Sequence, residues 1–383
     1  MEISGFHKND VHHVNLNQRN GAFMQRLISF VVLLTFIGIA TISNRPLYAE
    51  QNSKISTHTT QSAIELIQKG QAREAISNLE KIVKEYPNDI EARNFLADLY
   101  LSQNEHLKAE QTYRKAIDMD PKNAQAYNNL GILYLKKGEV KKAMDSFQTA
   151  IEKDPKLAEA HYNLGEAALI TGYFQTAANY FKKALELNPK DLSVHAKLGT
   201  ALAKSGSIQD AIPHFEKAIQ VNPKDFQAIS DLGFADLAQG KPEQASKQFQ
   251  KVLEAYPKST MAHYGLGLSL KAMKKVNEAI LEFRKANENS PKFIDSYLEA
   301  GTSLVTVGKP EEAKLEFEKA AQIYRDLFKK GAESSVARLR FAEVLIQLGK
   351  HKEAKENLQK VLKAEKPQSA LYAQAQSLIG RIK

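Results

Sequence analysis

The chain has no cysteine among its 383 residues, and this absence removes several classes of protein at once. A cysteine nucleophile is excluded, and so is a lipoprotein that carries its lipid on a cysteine at the cleavage site. The lack of cysteine fits an oxidising compartment without requiring one. Tryptophan is absent as well.

Catalytic motifs are also missing. The sequence contains no HExxH, no GxxxxGK and no nucleophile elbow. Carboxylate pairs such as Glu311 and Glu312 stand at a predicted helix start, where the helix dipole favours negative charge. We therefore predict no catalytic residues and no cofactor, and we expect a protein that is not an enzyme. An enzyme or its regulatory subunit is the alternative from another class.

The positive charge of the protein is spread out. The formal net charge is +9, yet the lysines are mixed with glutamates and form no basic block of the kind that binds nucleic acid. A diffuse lysine excess on solvated helices is the simplest interpretation. Nucleic acid is therefore not an expected partner.

The sequence does contain residues that recur with a strict period. Seven prolines are spaced 34 residues apart, and glycines and phenylalanines recur with the same spacing. The prolines are Pro87, Pro121, Pro155, Pro189, Pro223, Pro257 and Pro291. A fixed period between 20 and 50 residues is typical of a solenoid, in which each repeat is one supersecondary unit stacked on its neighbours.

One unit, residues 124–157, shows what each repeat contains. Apolar residues recur at steps of three and four, stop at Gly138, and resume until the sequence reaches Pro155. Because the residue before a proline is pushed away from the helical region, the unit predicts helix, turn, helix and stop. Gly131 predicts a close approach of a neighbouring helix, and Phe147 is expected to fill the wedge between units.

These residues resemble the tetratricopeptide repeat. The matching positions are Leu130, Gly131, Tyr134, Ala143, Phe147, Ala150 and Pro155. The resemblance implies an all-α, right-handed superhelical solenoid of about nine helix-turn-helix repeats with a C-terminal capping helix. It divides the sequence into a degenerate first repeat (56–89), six regular repeats (90–293), a repeat with an extended second helix (294–334), a last repeat (335–367) and the capping helix (368–383).

The N-terminal segment, residues 1–49, predicts a signal peptide or a signal anchor. Its apolar core, residues 27–42, carries no charge and follows Arg26. As a helix this core would span about 24 Å, short of a hydrocarbon layer of about 30 Å. That length, with Pro46 and a possible cleavage site at Ala49, favours cleavage, and a single membrane anchor is the alternative.

Both interpretations place the repeats outside the cytoplasm. We expect an exported, periplasmic protein, or a single-pass anchored one that contacts the membrane only through this segment. Residues 50–60 read as a short polar linker. Met24 is a second possible start beside Met1, since a signal beginning there has ordinary length.

Three histidines share one place in their repeats, four residues before the glycine. They are His161, His195 and His263. Equivalent positions in stacked repeats lie on the order of 10 Å apart. Ligands of one zinc ion must each approach it to about 2 Å. We therefore predict packing histidines and no metal site.

The resemblance also implies where a partner binds. In this family the first helix of each repeat lines a concave groove that holds extended peptides, and the residue two before the glycine faces it. These residues include Asn129, Asn163, Lys197 and Asp231, and Asn128 lies beside the first. An asparagine amide both donates and accepts, so it can pair with any peptide backbone. The asparagines resemble the asparagine ladder of the O-linked N-acetylglucosamine transferase superhelix.

From these observations we expect a non-catalytic scaffold that binds a partner protein or extended peptide along the groove. A periplasmic assembly factor for polysaccharide export or envelope biogenesis is the alternative. The extended second helix adds a second question. Its apolar residues Ile323, Leu327 and Phe328 are expected either to form a partner contact or to cover the next repeat.

Overall fold

The computed structural model describes residues 62–382, and over this range the protein forms nineteen helices and no strand. In sequence order they are α1 (62–68), α2 (Ala72–Glu85), α3 (Ile90–Ser102), α4 (His106–Met119), α5 (Ala124–Lys136), α6 (Val140–Lys153), α7 (Ala158–Thr171), α8 (Phe174–Leu187), α9 (Val194–Lys204), α10 (Ile208–Val221), α11 (Phe226–Ala238), α12 (Pro242–Ala255), α13 (Thr260–Ala272), α14 (Val276–Asn289), α15 (Ile294–Thr306), α16 (Pro310–Lys329), α17 (Ser335–Gln347), α18 (His351–Ala364) and α19 (Ala370–Arg381).

The helices follow the sequence period as nine pairs and one closing helix. The protein divides into two compact units between Ser207 and Ile208, which places the boundary between α9 and α10. Inside each unit, every helix from α2 on packs against the next one in sequence, and α19 packs against α17 and α18. The predicted all-α fold of tetratricopeptide type is confirmed for the described residues.

The period glycine and phenylalanine form one packing unit. A Cβ built on Gly131 would lie 2.5 Å from Cε1 of Phe147, which is fully buried. Gly267 and Phe283 repeat this arrangement at the same distance. The predicted close approach is therefore confirmed, and its partner is an aromatic ring of the same repeat. Gly138, in the turn between α5 and α6, has a φ of 76°, which glycine adopts without strain.

Two of the three histidines form hydrogen bonds to carbonyl groups of the prolines that recur with the period. Nε2 of His161 donates to the Pro155 carbonyl at 3.0 Å, and Nε2 of His263 donates to the Pro257 carbonyl at 2.9 Å. Both rings are buried and tie the start of a first helix to the preceding turn. Over residues 62–382, no cluster of three or more acidic or histidine side chains is arranged to hold a metal ion.

The extended second helix α16 contains twenty residues, six more than the other regular second helices. Its added turns cover the next repeat, because the Phe328 ring packs edge-on against Phe341 with centroids 5.5 Å apart. Arg325, which stands where the eighth proline is missing, forms hydrogen bonds of 3.1 and 3.0 Å to both carboxylate oxygens of Glu353. Ile323 packs with Phe328 against the same core, and Leu327 is 36% exposed.

The predicted signal or anchor (1–49) and linker (50–60) lie outside the described residues. So does the start of the first predicted repeat. Among the helices of residues 62–382, none combines the length and the apolar character that a membrane crossing requires.

Candidate partner-binding groove

The first helices of successive repeats contact one another directly. In the first unit α3 contacts α5, α5 contacts α7, and α7 contacts α9. In the second unit α11 contacts α13, and α13 contacts α15. Within each unit, the second helices instead pack against first helices, either that of their own repeat or that of the following repeat. Repeats are therefore closest together on the side of the first helices, which makes that side of each unit the inner face.

Three of the predicted site residues form one continuous series of hydrogen bonds across this face. Nδ2 of Asn129 donates to Oδ1 of Asp98 at 2.8 Å. Nδ2 of Asn128 donates to Oδ1 of Asn129 at 3.3 Å. Nδ2 of Asn163 then donates to Oδ1 of Asn128 at 2.9 Å. This amide network, made of Asp98, Asn128, Asn129 and Asn163, crosses the helices α3, α5 and α7.

The network is anchored by a buried tyrosine that the sequence interpretation missed. The Tyr113 hydroxyl donates to Oδ1 of Asp98, and the ring is fully buried. Tyr113 occupies the place that Phe147 and Phe181 fill in the next two repeats. A buried phenol needs a hydrogen-bond acceptor. The change from phenylalanine to tyrosine was thus the signal for a polar partner nearby, and Asp98 is that partner.

Asp98 lies in an environment that disfavours its charge. Burial raises its pKa to about 7, although the hydrogen bonds from Tyr113 and Asn129 act in the opposite direction. The negative charge of Glu159 raises the pKa further. The network therefore contains a carboxyl group that gains or loses its proton near neutral pH.

The members of the network differ in how far they reach the surface. Asn128 is 1% exposed and Asn129 is 8% exposed, and Gln125 donates to Oδ1 of Asn129 at 2.9 Å. Asn163 is only partly buried. The first two asparagines are thus buried beneath the inner face, and Asn163 is the most exposed of the three.

The remaining predicted site residues stand outside this network. Nζ of Lys197 lies 2.8 Å from Oε1 of Glu166, which links α9 to α7. Asp231 belongs to the second unit, where Nε2 of Gln227 donates to its Oδ1 at 2.8 Å. The structure thus brings the three asparagines together, places Lys197 on the next first helix, and leaves Asp231 as a separate group.

Known protein families match nearly all of the repeat region. A family model described as the C-terminal domain of cilia and flagella-associated protein 70, a tetratricopeptide repeat model, matches residues 49–292. A second model, described as tetratricopeptide repeat, matches residues 316–379. The protein belongs to the tetratricopeptide repeat family. Family and fold together support a protein-interaction scaffold. No curated protein sequence matches it.

Two solved structures show the same fold, and a third is similar in part. A tetratricopeptide repeat protein from Parabacteroides merdae is 19% identical with a TM-score of 0.51, and the alignment covers 68% of this protein and 98% of that one. A monomeric mutant of IFIT1, determined with m7Gppp-AAAA, is 17% identical with a TM-score of 0.51. The alignment covers 94% of this protein and 86% of that one. YrrB, described as a TPR protein with an unusual peptide-binding site, is 26% identical with a TM-score of 0.44. The alignment covers 48% of this protein and 95% of YrrB.

Proposed function

We propose that this protein is a non-catalytic scaffold that binds an extended segment of a partner protein along the inner face of its first unit. The amide network carries this proposal, because it runs across three successive first helices and ends at the partly exposed Asn163. Polar side chains that follow one another across several repeats match an extended peptide, because its backbone presents N–H and carbonyl groups at regular intervals.

The network prepares Asn163 to bind. Its Nδ2 is held by Oδ1 of Asn128, so the carboxamide has one orientation before a ligand arrives. A carboxamide that is already oriented loses little conformational entropy on binding, and its donor and acceptor match the carbonyl and N–H groups of a peptide backbone. The ion pair of Lys197 with Glu166 on the adjoining helix supplies charge that can discriminate between partner side chains.

The test starts with in-cell crosslinking and mass spectrometry to identify the partner. Asn163→Ala is then compared with the unaltered protein for affinity to that partner, with helicity measured by circular dichroism. We expect a loss of about fivefold, the equivalent of one hydrogen bond of about 1 kcal/mol. Asn179→Ala is the matched control, since Asn179 is exposed on the second helix of the same repeat.

Equal affinities for the two variants would contradict binding at this face. Crosslinked complexes that contain RNA instead of protein would contradict the class of partner. A catalytic turnover that a point substitution in the groove abolishes would contradict the non-catalytic role.

We also propose that the protein is exported or tethered to a membrane through its N-terminal segment. The support is the uncharged run at 27–42 behind Arg26, followed by Pro46 and Ala49. N-terminal sequencing of the mature protein tests this. A first residue near Gln51 supports cleavage, whereas a mature protein that still contains Leu27 leaves only the anchored form.

A further inference from the structure

A second polar site lies in the second unit, away from the amide network. A cavity of about 660 Å³ opens between the second helices α14 and α16, with α15 contributing to its wall. The residues that matter for its chemistry are Arg284, Asn287, Tyr297, Leu315, Glu316 and Lys319. We call it the α14–α16 cavity.

Asn287 is the unusual residue of this cavity. It is 6% exposed, and neither its Nδ2 nor its Oδ1 has a hydrogen-bond partner. The equivalent residues of the five preceding repeats are all apolar: Ile117, Ile151, Leu185, Ile219 and Leu253. A buried donor and a buried acceptor left unpaired destabilise the fold. An amide that replaces an aliphatic side chain without gaining a partner indicates a group reserved for a ligand.

Glu316 provides a second unpaired acceptor in the same cavity. The residue is 4% exposed, and its Oε1 accepts a hydrogen bond from Nε of Arg284 at 3.2 Å. Its Oε2 is buried and has no hydrogen-bond partner, and Nζ of Lys319 lies 3.7 Å away. The cavity thus offers two acceptors, Oδ1 of Asn287 and Oε2 of Glu316, with one donor beside them.

The charge of the lining favours a cation. Glutamates outnumber basic residues, since Glu288, Glu312, Glu316 and Glu318 face Arg284 and Lys319. Arg284 is already engaged by Glu312 at 2.9 Å and by Glu316. A positively charged ligand group in the cavity would therefore be attracted by the excess negative charge of the lining residues.

We propose that the α14–α16 cavity binds an arginine side chain of a partner polypeptide. A guanidinium carries several N–H donors in a planar fork, so one group can satisfy both the carboxamide oxygen of Asn287 and the carboxylate of Glu316. Nδ2 of Asn287 then donates to a backbone carbonyl of the same polypeptide. Leu315, which is 59% exposed, covers the aliphatic stem of the arginine.

Lys319 lines the cavity close to both Tyr297 and Glu316. Its Nζ lies 5.7 Å from the centroid of the Tyr297 ring and forms no hydrogen bond with Oε2 of Glu316. Its side chain is 59% exposed, so it can turn into solvent without disturbing the helices. Lys319 therefore acts as a weak internal cation that an arriving arginine displaces.

The experiment uses the full-length protein and two short peptides, acetyl-Gly-Arg-Gly-amide and the same peptide with citrulline, which has the same shape without the charge. Binding is followed by isothermal titration calorimetry and by chemical-shift changes. We expect the arginine peptide to bind at least about tenfold more tightly, the factor expected of a lost charged hydrogen bond. Asn287→Leu, which restores the residue of the preceding repeat, should lower the affinity by a similar factor and raise the melting temperature.

Lys319→Gln gives an independent measurement, because it removes the competing cation and should increase affinity for the arginine peptide. Glu278→Gln is the matched control, since Glu278 is exposed on α14 outside the cavity. Equal binding of the arginine and citrulline peptides, or unchanged binding after either Asn287→Leu or Lys319→Gln, would overturn the proposal.

Discussion

A single change of residue type organises the polar part of the inner face. Tyr113 replaces the period phenylalanine, and its hydroxyl donates to Asp98 in the core of the second repeat. Oδ1 of Asp98 also accepts a hydrogen bond from Nδ2 of Asn129, so two donors hold the carboxyl group. Burial still raises its pKa to about 7, which makes Asp98 a residue that links the stability of this region to pH.

The sign of this effect leads to a prediction for Asp98→Asn. The folded protein has the higher pKa, about 7 against 3.8, so the contribution of Asp98 to stability is complete below about pH 4 and is lost as the pH rises through 7. Asparagine accepts the same two hydrogen bonds without a charge. We expect the unaltered protein to lose at most about 4 kcal/mol more than the variant between pH 4 and pH 8.

Urea unfolding of both proteins at pH 4, 6 and 8 measures this difference. At pH 8 the variant should be the more stable of the two. Parallel dependences of unfolding free energy on pH would show that Asp98 does not carry the linkage.

Five of the nine helix pairs contain a contact between a glycine of the first helix and a phenylalanine ring of the second helix. The ring of Phe147 occupies the space where a Cβ of Gly131 would stand, 2.5 Å from Cε1. Glycine inside a helix costs about 1 kcal/mol relative to alanine, so the contact must return more than this cost. The same pairing in other repeats explains why glycine and phenylalanine keep one period.

We predict that Gly131→Ala destabilises the protein despite the higher helix propensity of alanine. The added methyl group would force the Phe147 ring to shift within a closely packed core, and overpacking of this kind costs about 1–3 kcal/mol. Gly380→Ala is the control, because a Cβ at that helical position meets nothing within 4 Å. Thermal unfolding should show a lower midpoint for the first variant and an equal or higher one for the second. A midpoint for Gly131→Ala at or above that of the parent would contradict the packing account.

The molecule as a whole is built from local contacts. Within each of the two units, helices pack against their sequence neighbours, and first helices also contact the first helices of adjacent repeats. In such repeat proteins stability is approximately a sum over repeats and their nearest-neighbour interfaces. A substitution that destabilises one repeat is therefore expected to affect the stability of that repeat and its neighbours only.

Hydrogen exchange of Gly131→Ala tests this expectation. The amides of α5 and α6 and of the adjoining helices should exchange faster than in the unaltered protein, because local opening there becomes less costly. The amides of α15 to α18 should exchange at unchanged rates. A uniform increase over all described helices would show that the protein unfolds as one cooperative body instead.

The helix pairs could be predicted from the sequence because their limits depend on residues that act on their own backbone. Pro155 ends one helix, Gly138 allows a left-handed turn, and the spacing of Gly131 and Phe147 places two helices in contact. These effects need no knowledge of distant residues. The position of Asn129 and Asn163 on first helices was accessible for the same reason.

The partners of those asparagines depended on the tertiary structure. Asn129 bonds to Asp98, 31 residues earlier, and Asn163 bonds to Asn128, 35 residues earlier. Neither separation equals the period of 34, so the spacing of the repeats does not identify these partners. The unpaired amide of Asn287 likewise required the tertiary structure, because a side chain is known to lack a hydrogen-bond partner only when the positions of all neighbouring atoms are known.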